Sequence, residues 1–160
     1  MIVVLGSNGY LGSSYASYFR EKNISFTSYK RPKHGDLLGK DNLYNFLKEV
    51  KPSFLINAAG YTGKPNVDAC ETDKEATYAG NVTLPMIVGE VCESLKVPWG
   101  HVSSGCIYNG YEKDYTEEDE PNFSFDNPPC SYYSGTKAEA EKLMKDAYSF
   151  DLSESTAFAT

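Results

Sequence analysis

The sequence predicts an α/β fold with a parallel sheet, and three observations lead to this prediction. Apolar segments with strand character alternate with amphipathic helical patterns along the chain. The first apolar segment, residues 1–5, runs straight into a glycine-rich turn and a helical pattern. The segment 54–56 is uninterrupted, which is typical of a strand buried on both faces of a sheet. With 160 residues, of which 41% are hydrophobic, the chain is long enough for one core, so we expect one domain.

The glycine-rich turn after the first strand is the first candidate binding site. Its glycines follow the spacing G-x-x-G-x-x-G, and the next helix is predicted from the recurrence of Leu11, Tyr15, Tyr18 and Phe19. Free N–H groups at such a junction point at an anion, the helix N-terminus adds about half a positive charge, and glycine lets a pyrophosphate approach closely. This placement favours a dinucleotide site over a plain loop. The predicted cofactor-binding residues are Gly6, Asn8, Gly9, Tyr10, Leu11 and Gly12.

The end of the second predicted strand, residues 24–29, bears on the choice of cofactor. A site for NAD usually places Asp or Glu about twenty residues beyond the glycine loop, where it binds the ribose 2′-hydroxyl. This chain has Lys30, Arg31, Pro32 and Lys33 there instead. The basic residues favour a 2′-phosphate, and therefore NADP(H) over NAD(H). A solvated basic turn is the alternative interpretation.

The middle of the chain continues the alternation. A helix is predicted over 40–50, and the strand at 54–56 delivers Asn57-Ala58-Ala59-Gly60 to the carboxyl edge of the sheet, where ligands bind. Two helical segments follow, at 72–78 and 86–95, with a break between them at Asn81. The small residues after the third strand let a cofactor lie close.

The last part of the chain combines a strand, a loop and a helix. A fourth strand is predicted over 97–103, in which His101 is a packed or half-exposed residue. Residues 112–120 are mostly charged and form a surface loop. A helix is predicted from Ser131 to about residue 147, and its solvent side carries Glu139, Glu141, Lys142 and Lys145.

Composition excludes several classes of function. The net charge is −7 and no Lys/Arg run is present, which argues against nucleic acid or an anionic membrane as a partner. Neither a long apolar stretch nor a signal peptide is present, so we expect a cytoplasmic protein. The cysteines lack C-x-x-C spacing, which predicts free thiols and no metal site at Cys70, Cys92, Cys106 and Cys130.

Tyr133 and Lys137 lie four residues apart on the last predicted helix, so their side chains share one face. A phenol with a pKa near 10 is a poor acid–base group at neutral pH, and a neighbouring ammonium lowers that pKa. An isolated Tyr-x-x-x-Lys pair is more often an ordinary helix surface. The other motifs of the chain reverse that preference.

In order and spacing, five motifs resemble the extended short-chain dehydrogenase/reductases: the glycine loop, 57–60, Asn81, Ser103-Ser104 and Tyr133-x-x-x-Lys137. The resemblance implies a Rossmann-type, doubly wound parallel sheet. Two further places resemble the nucleotide-rhamnose synthase/epimerase-reductase family, whose members are similar to dTDP-4-dehydrorhamnose reductase. The first is residues 60–71, and the second combines residues 104–108, 121–123 and 132–137. The resemblance covers roughly residues 1–145.

This resemblance implies an NADPH-dependent reductase with 3,5-epimerase chemistry, acting on UDP- or dTDP-4-keto-6-deoxyglucose in rhamnose nucleotide synthesis. Ser104 would position the sugar carbonyl, and Tyr133 would donate the proton. Lys137 would hold the nicotinamide ribose and tune Tyr133, Asn81 would support a proton relay, and Cys106 matches the epimerase base. Cofactor contacts are implied for Lys30 and Arg31 at the 2′-phosphate, for Asp36 and Leu37 near the adenine, and for Ala58, Ala59 and Gly60.

The chain departs from this family after its last helix. Family members continue with further strands and a lobe that grips the nucleotide-sugar, whereas this sequence ends at Thr160. We therefore expect a nucleotide-binding domain over 1–147 and an irregular tail over 148–160, without the substrate lobe. A homo-oligomer or a completing chain is then expected. Two alternatives stay open: a catalytically silent NADP-binding module, and an epimerase/reductase similar to GDP-fucose synthases.

Overall fold

The computed structural model describes residues 1–111, 113–116 and 118–148, and in this part of the chain four parallel strands form one sheet. The strands are β1 (Ile2–Leu5), β2 (Phe26–Ser28), β3 (Phe54–Asn57) and β4 (Trp99–His101). The α-helices are α1 (Tyr10–Glu21), α2 (Arg31–His34), α3 (Lys40–Val50), α4 (Lys74–Tyr78), α5 (Leu84–Leu95) and α6 (Tyr132–Tyr148). Short 3₁₀ turns span Val67–Glu71 and Gly105–Ile107, and a π-helical turn spans Ala79–Thr83.

The strand order is β2-β1-β3-β4. The chain therefore adds β2 on one side of β1 and then adds β3 and β4 on the other side. With right-handed crossovers, this order places α1 on one face of the sheet and α3 and α5 on the other. The predicted doubly wound α/β fold is thus confirmed. The loops after β1 and β3 meet where the chain changes from one side of β1 to the other, which is where ligands bind in such sheets.

The larger core lies between the sheet and the helices α3, α5 and α6. Val3, Leu5 and Leu55 are fully buried there, and Val88 and Met144 cover them from α5 and α6. This burial fixes the position of α6, and with it the position of every candidate catalytic residue on that helix.

Helix α1 packs differently from its predicted apolar stripe. Its buried residues are Gly12, Ala16 and Phe19, whereas Tyr18 is 52% exposed. At Gly12 a side chain is excluded, because a Cβ atom there would overlap the carbonyl group of Gly6. The close approach of α1 to the glycine turn therefore requires a small residue at position 12, and an apolar side chain there is not enough.

The predicted break at Asn81 is wrong. The chain stays helical from residue 74 to residue 95, and a π-helical turn joins α4 to α5. Asn81 lies fully buried in that turn. Such turns insert one extra residue into a helix and are frequent at functional sites.

Helix α6 ends one residue later than predicted. Tyr148 belongs to it and packs edge-on against Trp99, with ring centroids 5.9 Å apart. The rest of the predicted tail, residues 149–160, lies outside the described residues. Within the described ranges, no helix combines the length and the apolar character needed to cross a membrane.

Candidate active site

The glycine loop is held against the loop after β3. Gly6 has a φ of +74°, and a Cβ atom there would lie 2.7 Å from the carbonyl oxygen of Ala58 and from the backbone of Ala59. The Gly9 N–H donates to the Gly6 carbonyl at 2.9 Å. The loop's own packing therefore requires Gly6 and Gly12, and small residues follow β3 for the same reason.

The N-terminus of α1 fits a phosphate. Gly9 is its N-cap, no side chain caps the helix, and the first turn contains no acidic residue. Tyr10 is 88% exposed and Asn8 is exposed, so the first turn faces solvent. Uncapped N–H groups and the helix dipole together provide an anion site on a 12-residue helix.

The basic segment after β2 is exposed, as a 2′-phosphate site requires. Lys30 precedes α2 and Arg31 begins it, and the ion pairs within the described ranges involve neither side chain. Asp36 is exposed, and its Oδ1 accepts a hydrogen bond from the Leu38 N–H. Leu37 is instead buried in the core cluster, so its cofactor contact stays a prediction.

The structure brings Ser104, Cys106, Tyr133 and Lys137 together. Ser104 follows β4, and its hydroxyl lies close enough to Tyr133 to lower the pKa of the phenol, while its Oγ accepts the Cys106 N–H at 3.4 Å. Lys137 lies one turn after Tyr133, with its Nζ 5.8 Å from the centroid of the Tyr133 ring. Lys137 is 5% exposed, so its side chain lies inside the protein rather than on its surface.

Burial dominates the pKa values of this cluster. It raises the pKa of Tyr133, with a further increase from Cys106, although the Ser104 hydroxyl opposes the shift by donating to the phenolate. Burial also lowers the pKa of Lys137, against the effect of Cys106 and Glu141. We expected Lys137 to lower the pKa of Tyr133, but the groups that act on this pKa are burial, Cys106, Ser104 and Cys70, and together they raise it.

Asn81 ties the π-helical turn to the neighbouring loop. Its Oδ1 accepts the Tyr61 N–H at 2.8 Å, and its Nδ2 donates to the Tyr61 carbonyl at 2.9 Å and to the Thr136 Oγ1 at 3.3 Å. At Gly60, a Cβ atom would lie 3.1 Å from Asn81 Oδ1 and 3.5 Å from Lys137 Nζ. The absence of a side chain at Gly60 thus lets the loop pass between Asn81 and the lysine.

Two polar residues, Asn57 and His101, were given no role in the predicted site. Asn57 Oδ1 accepts the Ala59 N–H at 3.1 Å, so its Nδ2 faces the His101 Nδ1 at 3.0 Å. His101 therefore accepts at Nδ1 and is neutral, with its proton on Nε2. Burial, and then the charge of Lys137, lower the pKa of His101 to about 3. Its Nε2 is buried without a hydrogen-bond partner among the described residues.

Glu141 was predicted on the solvent side of α6, and this is wrong. It is half-buried and accepts a hydrogen bond from the Ser103 Oγ. Burial raises the pKa of its carboxyl group, while Ser103 and Lys137 lower it. The spacing of four residues from Lys137 is the one sequence signal that indicates this position.

The fold and the site define a nucleotide-binding domain of the short-chain dehydrogenase/reductase type: a Rossmann-like parallel sheet, a glycine loop before an uncapped helix, and a Tyr-x-x-x-Lys pair beside a serine. The profile of the RmlD substrate binding domain family matches residues 1–151, and the chain belongs to that family.

Several relatives of the chain are nucleotide-sugar enzymes. A trifunctional UDP-glucose 4,6-dehydratase/UDP-4-keto-6-deoxy-D-glucose 3,5-epimerase/UDP-4-keto-L-rhamnose-reductase of Arabidopsis thaliana is 32% identical over 151 residues, which are 90% of this chain and 21% of that protein. A bifunctional dTDP-4-dehydrorhamnose 3,5-epimerase/reductase of the same plant is 31% identical, over 90% of this chain and 47% of its own length.

A solved structure supports the same assignment. The dTDP-4-dehydrorhamnose reductase of Clostridium acetobutylicum superposes with a TM-score of 0.75 at 27% identity, over 91% of this chain and 49% of that one. The chain therefore spans about half or less of the length of the relatives described.

Proposed function

We propose that this chain is the NADPH-binding and catalytic part of a reductase that acts on a UDP- or dTDP-linked 4-keto-6-deoxy sugar in L-rhamnose nucleotide synthesis. The observation that carries the proposal is the meeting of Ser104, Tyr133 and Lys137 at the carboxyl edge of the sheet. The names of the relatives support the substrate class, since they are 4-ketorhamnose reductases.

The reduction needs a hydride at C4 and a proton on the C4 oxygen. Bound NADPH would supply the hydride. The proton comes from the Tyr133 hydroxyl, which is protonated at neutral pH, since burial raises its pKa further above the ordinary phenol value. The adjacent Ser104 hydroxyl donates a second hydrogen bond to the carbonyl oxygen and so orients it. The Lys137 ammonium stabilises the tyrosinate that remains, until solvent returns the proton.

The cofactor residues divide into three groups. The first-turn N–H groups of α1 bind the pyrophosphate, the exposed Lys30 and Arg31 bind the 2′-phosphate, and Lys137 binds the nicotinamide ribose. The residues Ala58, Ala59 and Gly60 provide a wall without large side chains. Asp36 is exposed and is proposed near the adenine.

Epimerisation is the second chemistry proposed for the site. A 4-keto group acidifies the C–H bonds at C3 and C5, and a base removes that proton while the enolate oxygen is hydrogen-bonded. Cys106 is half-buried beside Ser104, close enough to affect the pKa values of Tyr133 and Lys137. We assign its thiolate as the base, with Ser104 and Tyr133 at the enolate oxygen.

The purified chain tests this proposal in two separate measurements. Fluorescence titration measures NADPH binding, and the absorbance of NADPH measures its oxidation when UDP-4-keto-6-deoxyglucose is added. We expect both, with loss of oxidation in Tyr133→Phe and no loss in Tyr132→Phe, whose ring packs against Phe125 instead. Binding without oxidation, also when the chain is completed with the C-terminal lobe of a relative, would reject the reductase and leave an NADP-binding module, and no binding would reject both.

A further inference from the structure

Glu141 is an acidic residue inside the protein with no part in the proposed reaction. It lies one turn after Lys137 and two turns after Tyr133, so the three side chains share one face of α6. It is half-buried, and the Ser103 hydroxyl donates to its Oε1 across the gap between α6 and the end of β4. Ser103 immediately precedes Ser104, whose hydroxyl acts on the Tyr133 phenol.

Lys137 is a buried cation whose charged form a carboxylate such as Glu141 stabilises. Its ammonium is surrounded by α6, by the turn with Cys106, by β4 with His101, and by the π-helical turn with Asn81. His101 is neutral, because Asn57 holds its Nδ1 as an acceptor, so it brings no negative charge. Among the described residues that act electrostatically on Lys137, Glu141 is the carboxylate.

We propose that Glu141 is a positioning residue with two tasks: its charge keeps the buried Lys137 protonated, and its hydrogen bond from Ser103 fixes the chain so that Ser104 stays opposite Tyr133. The proposal deepens the proposed function, since a charged Lys137 is what stabilises the tyrosinate. The electrostatic part does not depend on any cofactor.

The two charges support each other inside the protein. An ammonium removed from water loses solvation, and a nearby carboxylate compensates for part of that loss. The effect is reciprocal: Glu141 raises the pKa of Lys137, and Lys137 lowers the pKa of Glu141. Ser103 adds a hydrogen bond that favours the charged carboxylate, and Lys145 acts on it from the next turn of α6.

The test is an NMR titration of the Lys137 side chain in the cofactor-free chain, read from its ¹³Cε shift. Glu141→Gln keeps an acceptor for Ser103 and removes the charge, so the pKa of Lys137 should fall by about one pH unit. Glu139→Gln is the matched control, with the same change of charge on the same helix, and it should leave that pKa unchanged. An unchanged pKa in folded Glu141→Gln, or an equal fall in Glu139→Gln, overturns the proposal.

The unaltered chain gives a second test that does not depend on the folding of any variant. As pH falls and the Glu141 carboxyl takes up its proton, the Lys137 ¹³Cε signal should show a second inflection at the pKa of Glu141. Its absence overturns the proposal. NADPH titration keeps this result separate from the proposed function: failure to bind NADPH rejects the reductase but leaves the coupling of Lys137 to Glu141 standing.

Discussion

Asn81 holds the backbone of Tyr61 at both of its polar groups, accepting from the N–H at 2.8 Å and donating to the carbonyl at 2.9 Å. The Asn81 amide thus makes the two hydrogen bonds that a neighbouring strand would otherwise make with the Tyr61 backbone. It fixes the loop after β3 against α6, where Lys137 lies. The π-helical turn is what places the amide at this position, because a regular helix would direct residue 81 elsewhere.

We expect Asn81→Leu to destabilise the protein by about 2–3 kcal/mol, since it leaves a part-buried N–H and carbonyl of Tyr61 without partners. Urea unfolding followed by circular dichroism measures the change. Asn45→Ala, at an exposed position of α3, is the control, and its effect should stay within about 0.5 kcal/mol. Equal effects of the two substitutions would show that the Asn81 amide contributes nothing specific.

Periodicity predicted the parts of the fold that depend on local sequence. The predicted bounds of α3, Lys40–Val50, are confirmed. They could be predicted because the apolar positions of this helix recur at three and four residues and Lys51-Pro52 ends it. The π-helical turn could not be predicted, because it depends on hydrogen bonds between Asn81 and a residue twenty positions away.

The candidate site shows the same division. Spacing on α6 correctly placed Tyr133 and Lys137 on one face, whereas Ser104 beside Tyr133 was implied only by the family resemblance. Glu141 looked like a solvent-facing residue, because a helical pattern does not reveal that the end of β4 packs against that turn. The neutral state of His101 likewise follows from the orientation of Asn57, which only the folded structure provides.

His101 predicts a pH dependence of stability. Its pKa in the folded chain is lowered to about 3 from 6.5, so below pH 6.5 the unfolded chain binds a proton that the folded chain does not. Stability is then lost as pH falls, by up to about 1.4 kcal/mol per pH unit. Between pH 7 and pH 5 we expect His101→Leu to lose about 2 kcal/mol less than the unaltered chain in urea unfolding.

The other histidine of the chain provides the control for this comparison. His34→Asn should retain the full loss of stability between pH 7 and pH 5. If His101→Leu showed the same loss as the unaltered chain, the buried imidazole would not be the cause.

Arg31 predicts preference for NADPH over NADH. A charge-assisted hydrogen bond to the 2′-phosphate contributes about 1.5–3 kcal/mol, which corresponds to about a ten- to hundredfold difference in affinity. Arg31→Ala should remove most of this difference, whereas Lys22→Ala, at an exposed position after α1, should not. Titration of both cofactors measures the ratio, and equal binding of NADH and NADPH by the unaltered chain contradicts the assignment.

The edge of the sheet predicts association of the chain. Within the described residues β4 pairs only with β3, and Phe54 of β3 is 37% exposed, so part of the sheet lacks the cover that parallel sheets normally have. We expect self-association in sedimentation velocity at micromolar concentration. A compact monomer with a sharp unfolding transition would argue for a self-sufficient small domain.

Substitution of Cys106 distinguishes a chain with epimerase and reductase activity from one with reductase activity alone. Removal of the proton at C3 or C5 gives an enolate, and reprotonation from solvent introduces deuterium in heavy water. Cys106→Ser replaces the thiolate with a hydroxyl that is far less acidic, so incorporation of deuterium into UDP-4-keto-6-deoxyglucose should stop. Reduction of a sugar that is already epimerised should persist, because Tyr133 and Ser104 are unchanged.

Cys130→Ser is the matched control for this exchange. Cys130 is also a free, half-buried thiol, but it lies before α6 and near Glu71 rather than beside Ser104. Deuterium should enter C3 and C5 in this variant at the rate of the unaltered chain, as measured by proton NMR of the recovered sugar. If Cys106→Ser exchanged as fast as Cys130→Ser, the base would lie elsewhere, and the chemistry of the site would reduce to transfer of a hydride and a proton at C4.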